Sequence, residues 1–168
     1  VGTGSFYAPV APGGLYRTED GGDTWVRVLP FKQLVVNCIA ISPVNPEIMY
    51  AGCGASDTSY KGIYKSTNGG RTWTAASAGL PAHYAVRDMK VDPHDSSIVY
   101  AALYKGYSDA YEDLSGTYVT LDGGSYWTRI GLSDYRLYDI HAWGDAAQAQ
   151  SEHPRRENTA CAPPASTL

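Results

Sequence analysis

The chain has 168 residues, 43% of them apolar, with 13 basic against 17 acidic side chains and a formal charge of −4. That is enough apolar material for a folded core, and the mild, unclustered charge argues against a grip on a nucleic-acid backbone. No apolar run approaches the roughly 20 residues that span a bilayer, so no membrane span is expected.

The first stretch, VGTGSFYAP, carries no signal-like segment and reads as a start that has been cut. A strand in GGLYR leads to RTEDGGDTW at 17–25, and WVRVL follows as another strand. Val36 to Ile41 is apolar and stops at a Ser-Pro turn; EIMYAG and GIYKS supply two more strands before KSTNGGRTW at 65–73. The order then repeats. Val86 to Val91 stops at Asp-Pro, SIVYAA and GTYVT follow, VTLDGGSYW occupies 119–127, and WTRI succeeds it. YRLYDIHAWG, from Tyr135, restarts the unit, after which 144–168 loses the strand pattern and reads as a disordered or extended tail.

Trp25 and Trp73 are 48 residues apart, Trp73 and Trp127 54 apart, and LVVNCIAISPVNPEIMYAG aligns with YAVRDMKVDPHDSSIVYAA at an offset of 50. Short strands recurring at such a period, with no window that holds a helical apolar period, predict an all-β chain: a partial β-propeller of about three four-stranded antiparallel blades. The divisions are blade remnants at 1–29, blades at 34–79 and 84–132, and the first strand of a further blade at 135–143, giving a partial propeller over 1–143. Three blades cannot close a ring, since complete propellers have about 4–8. The chain is therefore expected to be a fragment, with an open arc closed by another copy as the alternative.

Each nonapeptide has a turn's chemistry. Gly22, Gly70 and Gly124 can take positive φ; Asp20, Asn68 and Asp122 can accept turn amides; Thr18, Ser66 and Thr120 add hydroxyls. Trp25, Trp73 and Trp127 are expected to fill the gaps between blades. Cys38 and Cys53 would lie near each other across a hairpin, either bonded or as two small buried thiols.

These motifs resemble the Asp-box, or BNR, repeat, S/T-x-D-x-G-x-x-W, of sialidases, two-propeller xyloglucanases, sortilin-type receptors and the photosystem II assembly factor. Asn68 and Tyr126 depart mildly from it. The resemblance implies a propeller with structural boxes on the face away from the ligand, and leaves the chemistry open.

The opposite face would collect the variable loops. Tyr60, Tyr104, Tyr107 and Tyr111 stand near Asp109, Glu112 and Asp113, and the inner strands add Arg87, Asp88 and Asp139. Rings beside carboxylates suit sugars, and glycoside hydrolysis needs two carboxyl groups either about 5–5.5 Å or about 6.5–9.5 Å apart, one acting as acid and one as nucleophile or base. Asp109, Glu112, Asp113, Asp88 and Asp139 are thus the catalytic candidates, beside the alternative that they are solvated or close a polar channel; Tyr60, Tyr104, Tyr107, Tyr111 and Arg87 are the ligand-binding candidates. No metal or cofactor is implied: the histidines lack ligand spacing, and DGGDTW is shorter than a calcium loop. The functional expectation is a glycoside hydrolase-like or glycan-binding propeller, extracytoplasmic or secreted. Its partners would be a polysaccharide or oligosaccharide, together with the remaining blades of the full-length chain. The alternative is a protein-interaction propeller that binds a protein or peptide without catalysis.

Overall fold

The computed structural model describes residues 6–10, 14–29, 35–54, 62–82, 84–104, 114–131, 137–143 and 146–151. Strands β1 (Phe6–Val10), β2 (Gly14–Thr18) and β3 (Val26–Arg27) form one antiparallel sheet. A second contains β4 (Val36–Ile41), β5 (Met49–Cys53), β6 (Gly62–Ser66) and β7 (Thr74–Ala75) in that spatial order. The third holds β8 (Ala85–Val91), β9 (Val99–Tyr104), β10 (Gly116–Thr120) and β11 (Thr128–Gly131). Every described strand pairs with its neighbour in sequence, so each sheet is a meander, as a propeller blade requires.

β12 (Leu137–Trp143) restarts the unit and pairs with β13 (Ala146–Ser151). β13 lies within 144–168, where the sequence pattern showed no strand. AAQAQS has none of the β-branched and aromatic residues that mark strands elsewhere in the chain; its strand is defined by antiparallel pairing with β12.

The turn from first to second strand is built alike in two sheets. Ser42 Oγ accepts the Asn45 amide at 3.2 Å; at the equivalent place Asp92 Oδ1 accepts the amides of His94 and Asp95 at 2.8 and 3.1 Å. Both groups are buried, and both are held by the bonds that turn residues of this kind make.

Packing runs sheet to sheet. Every residue of β5 is buried, because a middle strand has a neighbouring blade on each face; MYAGC accordingly lacks polar alternation. Leu15 and Leu29 of the first sheet meet Val36, Ala51 and Cys53 of the second, with Tyr7 and Trp73 packed against them. The second and third sheets share a larger core that includes Tyr50, Ile63, Ala76, Val86, Met89, Leu103 and Trp127. Their backbones come close enough that a Cβ on Gly79, at φ +86°, would stand 2.3 Å from the Trp127 carbonyl oxygen.

The three indoles do not share one environment, contrary to the expectation that each fills a gap. Trp127 is 1% exposed and donates Nε1 to the Ala76 carbonyl of the second sheet at 2.8 Å. Trp73 is half-buried against the first sheet. Trp25 is 44% exposed. Its own turn is intact, with Nε1 donating to the Gly22 carbonyl at 3.1 Å as Trp73 does to Gly70 at 3.0 Å. What differs is the neighbour: among the described residues no sheet lies against the Trp25 side.

Cys38 and Cys53 are free, buried thiols rather than a disulfide. Burial first, and then the Asp88 carboxylate, pushes the Cys38 thiol up to about 12; burial also raises Cys53. Both are therefore inert, packed thiols at neutral pH.

Truncation of the three indoles should give graded costs. Trp127→Ala should destabilise by about 3–5 kcal/mol, as expected for a large buried aromatic, and Trp25→Ala by under about 1 kcal/mol, measured by urea denaturation.

Candidate functional site

The boxes form one end of each sheet. Thr18 Oγ1 donates to Asp20 Oδ1 at 2.6 Å and accepts the Gly22 amide at 2.9 Å, while the Thr24 amide and hydroxyl both donate to Asp20. Ser66 bonds Asn68 and the Gly70 amide at 3.0 and 2.9 Å, and Thr120 bonds Asp122 and the Gly124 amide at 2.7 and 2.9 Å. Asn68 replaces the carboxylate without loss, because its Oδ1 accepts the Thr72 amide and its Nδ2 donates to the Thr72 hydroxyl at 2.7 Å. The Thr18 and then the Thr24 bonds hold Asp20 well below the usual carboxylate range; Thr120 and the Tyr126 amide do the same for Asp122. These groups are committed to the turn.

A further feature joins neighbouring sheets at this end, and the sequence reading did not single it out. Arg17, one residue before the box hydroxyl, donates to the Gly69 carbonyl of the next sheet at 3.2 Å; its cross-strand partner Tyr7 donates to the same oxygen at 2.8 Å. Lys65, in the corresponding place, donates to the Gly123 carbonyl at 2.6 Å. Its cross-strand partner Tyr50 lies fully buried, packs beside Gly124 and donates to the Ser96 carbonyl at 3.3 Å. The signal was present as the basic residue in YRT and YKS, but its meaning depends on a glycine in the next blade.

At the opposite end the first strands lie side by side, β4 against β8 and β8 against β12. Each has a register shift at the same place, leaving Asn37, Arg87 and Tyr138 as bulge residues. A bulge re-aims a side chain out of the ladder. Asn37 uses this to donate to Gly54 and Val86 carbonyls at 2.6 and 2.9 Å, tying the second sheet to the third. Arg87 instead lies over its own blade, with its guanidinium 5.1 Å from the centre of the Tyr104 ring. Such a pair is worth about 0.5–1 kcal/mol when exposed, and it fixes the ring at the end remote from the boxes.

Of the candidates, Arg87 and Tyr104 are therefore brought together. Asp88 is largely buried, at 15% side-chain exposure, and its carboxylate sits 3.1 Å from Lys90 Nζ. Asp139 lies on β12 at the position equivalent to Asp88 on β8, each directly after the bulge. Asp109, Glu112, Asp113, Tyr60, Tyr107 and Tyr111 lie outside the described residues. Among the described residues no group of acidic, histidine or cysteine side chains is arranged to hold a metal ion, and no helix is long and apolar enough to cross a membrane.

The model of the Sortilin-Vps10 family, described as sortilin, neurotensin receptor 3, matches residues 13–160. The chain belongs to the Sortilin-Vps10 family. Among curated relatives of this Sortilin-Vps10 chain, a xyloglucanase from a Paenibacillus species is 24% identical over 140 residues, covering 74% of this chain and 13% of the relative. Xyloglucanase Xgh74A from Acetivibrio thermocellus is 26% identical over 140 residues, with coverages of 74% and 16%. The chain thus spans less than a fifth of the length of these relatives. Among solved structures, an ancestral GH74 enzyme superposes with a TM-score of 0.60 at 20% identity, over 76% of this chain and 17% of that one. YCF48 from Cyanidioschyzon merolae gives 0.60 at 18%, over 89% and 45%. YCF48 bound to D1 peptide gives 0.53 at 17%, over 76% and 36%. At these identities the structural likeness establishes the fold, a piece of a β-propeller.

The box carboxylates give this family member a testable acid response. Their folded-state pKa values are lowered, so their contribution is complete above the unfolded value near 4 and is lost as pH falls through the folded values. Asp20→Asn and Asp122→Asn should flatten the fall in melting temperature below about pH 4, and Asn68→Asp should steepen it, read by thermal denaturation across pH 2–6.

Proposed function

We propose that this propeller segment contributes a glycan-binding surface, at the end of the blades remote from the boxes, to a xyloglucan-recognising protein outside the cytoplasm. The observation that carries this reading is the Arg87–Tyr104 pair. A guanidinium on one face of the ring restricts its motion and leaves an amphipathic platform with hydrogen-bond donors at its edge, a surface that suits the C–H face and hydroxyls of a sugar. The curated relatives named xyloglucanases supply the polysaccharide class.

Binding is favoured over hydrolysis for the residues placed so far. Asp88 is engaged in an ion pair with Lys90 on its own strand, and the described pair of Arg87 and Tyr104 contains no carboxylate, whereas glycoside hydrolysis needs two. Asp109, Glu112, Asp113 and Asp139 stay candidates for catalysis in a longer protein, with Tyr60, Tyr107 and Tyr111 as further sugar contacts.

Titration with xyloglucan oligosaccharides by calorimetry tests the reading. Tyr104→Ala and Arg87→Ala should each weaken binding about tenfold or more, while Asp88→Asn should change it little. Absence of binding, or affinity unchanged by Tyr104→Ala, refutes the reading. Binding of a peptide in place of the sugar would transfer the same surface to the protein-interaction alternative, the property named for the YCF48 neighbour bound to D1 peptide.

A further inference from the structure

The two clefts between neighbouring blades are joined alike through the box glycines but closed differently. Between the second and third sheets, Tyr50 is fully buried, and its hydroxyl donates to the Ser96 carbonyl of the turn that leads from β8 to β9. Between the first and second sheets the corresponding tyrosine is Tyr7, and Pro46 stands where the third sheet has Ser96. Tyr7 donates instead to the Gly69 carbonyl, beside Arg17, and is only partly buried. A cavity of about 260 Å³ remains between Tyr7 and the turn that leads from β4 to β5, with Ile41, Pro46 and Met49 in its wall. The groups that close one cleft and leave the other open are all described residues, so the difference belongs to the two interfaces themselves.

Charge marks the same cleft. Glu19, Glu47 and Arg71 line the cavity with Arg17, whereas the corresponding residues of the next cleft are Thr67, Ser97 and Ser125. Glu19 is taken by Arg17 at 2.9 Å. Glu47 and Arg71 approach only to 3.8 Å, longer than a hydrogen bond, with their side chains 57% and 63% exposed. They form a separated carboxylate and guanidinium beside an apolar wall, and their opposite signs give the cavity no preference for a simple anion or cation.

We propose that this cavity binds a free α-amino acid with an apolar side chain, such as leucine or methionine. The ammonium goes to Glu47, the carboxylate to Arg71, and the side chain against Ile41, Met49 and Tyr7. A zwitterion supplies both of the charge-assisted bonds that the loose pair does not make for itself. Size excludes larger occupants: drug-sized ligands take about 300–1,000 Å³, so this cavity holds one small molecule rather than an oligosaccharide or a length of peptide. A neutral sugar would bring no charge to either group. The site lies at the box end, remote from Arg87 and Tyr104, and stands independently of the glycan reading.

A heteronuclear NMR titration of the isotope-labelled full chain with L-leucine tests this. The amides of Glu47, Gly69 and Arg71 should shift saturably, with a Kd of about 1 mM or tighter. Leucinamide, which lacks the carboxylate, and N-acetylleucine, which lacks the ammonium, should each bind at least about fivefold more weakly. Arg71→Gln should erase the preference for leucine over leucinamide, and Glu47→Gln the preference over N-acetylleucine. Both side chains are more than half exposed, so the variants keep the fold, and loss of one particular preference is a result that general loosening would not give. The absence of saturable shifts at these amides overturns the proposal, as does equal binding of leucine and leucinamide, or both preferences surviving the substitutions. Shifts of the same amides with methyl xyloside and none with leucine would also overturn it, and would make the cavity a second sugar subsite.

Discussion

The structure depends on the burial of one blade's box against the sheet before it. Within a box, short hydroxyl and carboxylate or amide bonds shape a tight turn, but the turn alone leaves its indole in water, as Trp25 shows. The same nine-residue motif becomes part of a core only when a neighbouring sheet offers apolar groups such as Ala76 and Tyr50 together with a donor for the glycine carbonyl. Stability is then a property of interfaces between repeats, the behaviour of a quasi-one-dimensional array. The all-buried β5, with small Ala51 and Gly52 at its centre, is the sequence consequence of lying between two such interfaces.

Local bonds and neighbour contacts divide what could be read from the sequence. The strands, their antiparallel order and the box turns follow from period, apolar pattern and turn residues within about ten positions of each other, and apart from β13 they stand where the pattern placed them. Val36 to Ile41 is a strand over the whole of that range. The fate of each tryptophan was not legible, because identical motifs differ only in which sheet covers them. The tyrosine and cation contacts were likewise hidden, because Arg17 and Lys65 gain their meaning only from glycine carbonyls of the next blade, Gly69 and Gly123. The bulges at Asn37, Arg87 and Tyr138 leave no mark in an apolar pattern, yet one of them puts Arg87 over Tyr104.

Division of labour between the two ends of the blades follows from the same geometry. At the box end, Asp20, Asn68 and Asp122 spend their hydrogen-bonding capacity on the turns, and Gly69 and Gly123 carbonyls on the neighbouring blade. At the other end the first strands break register, and the freed side chains have different uses in successive repeats: Asn37 ties two sheets, Arg87 builds a platform. Repeats that are held alike at one end and differ at the other let a propeller vary its ligand without changing its packing. The ion pair of Asp88 with Lys90 lies between these regions and satisfies a charge in the inner strands.

Native-state hydrogen exchange of three backbone amides tests the central claim most directly. Gly22, Gly70 and Gly124 each donate to a box hydroxyl at 2.9 Å, so their local bonds are matched and only the covering neighbour differs. If interfaces between blades hold the arc, protection should rise from Gly22 through Gly70 to Gly124, with the last exchanging only on global unfolding. Equal protection at all three would show that the turns stand by their own hydrogen bonds, and would contradict this account.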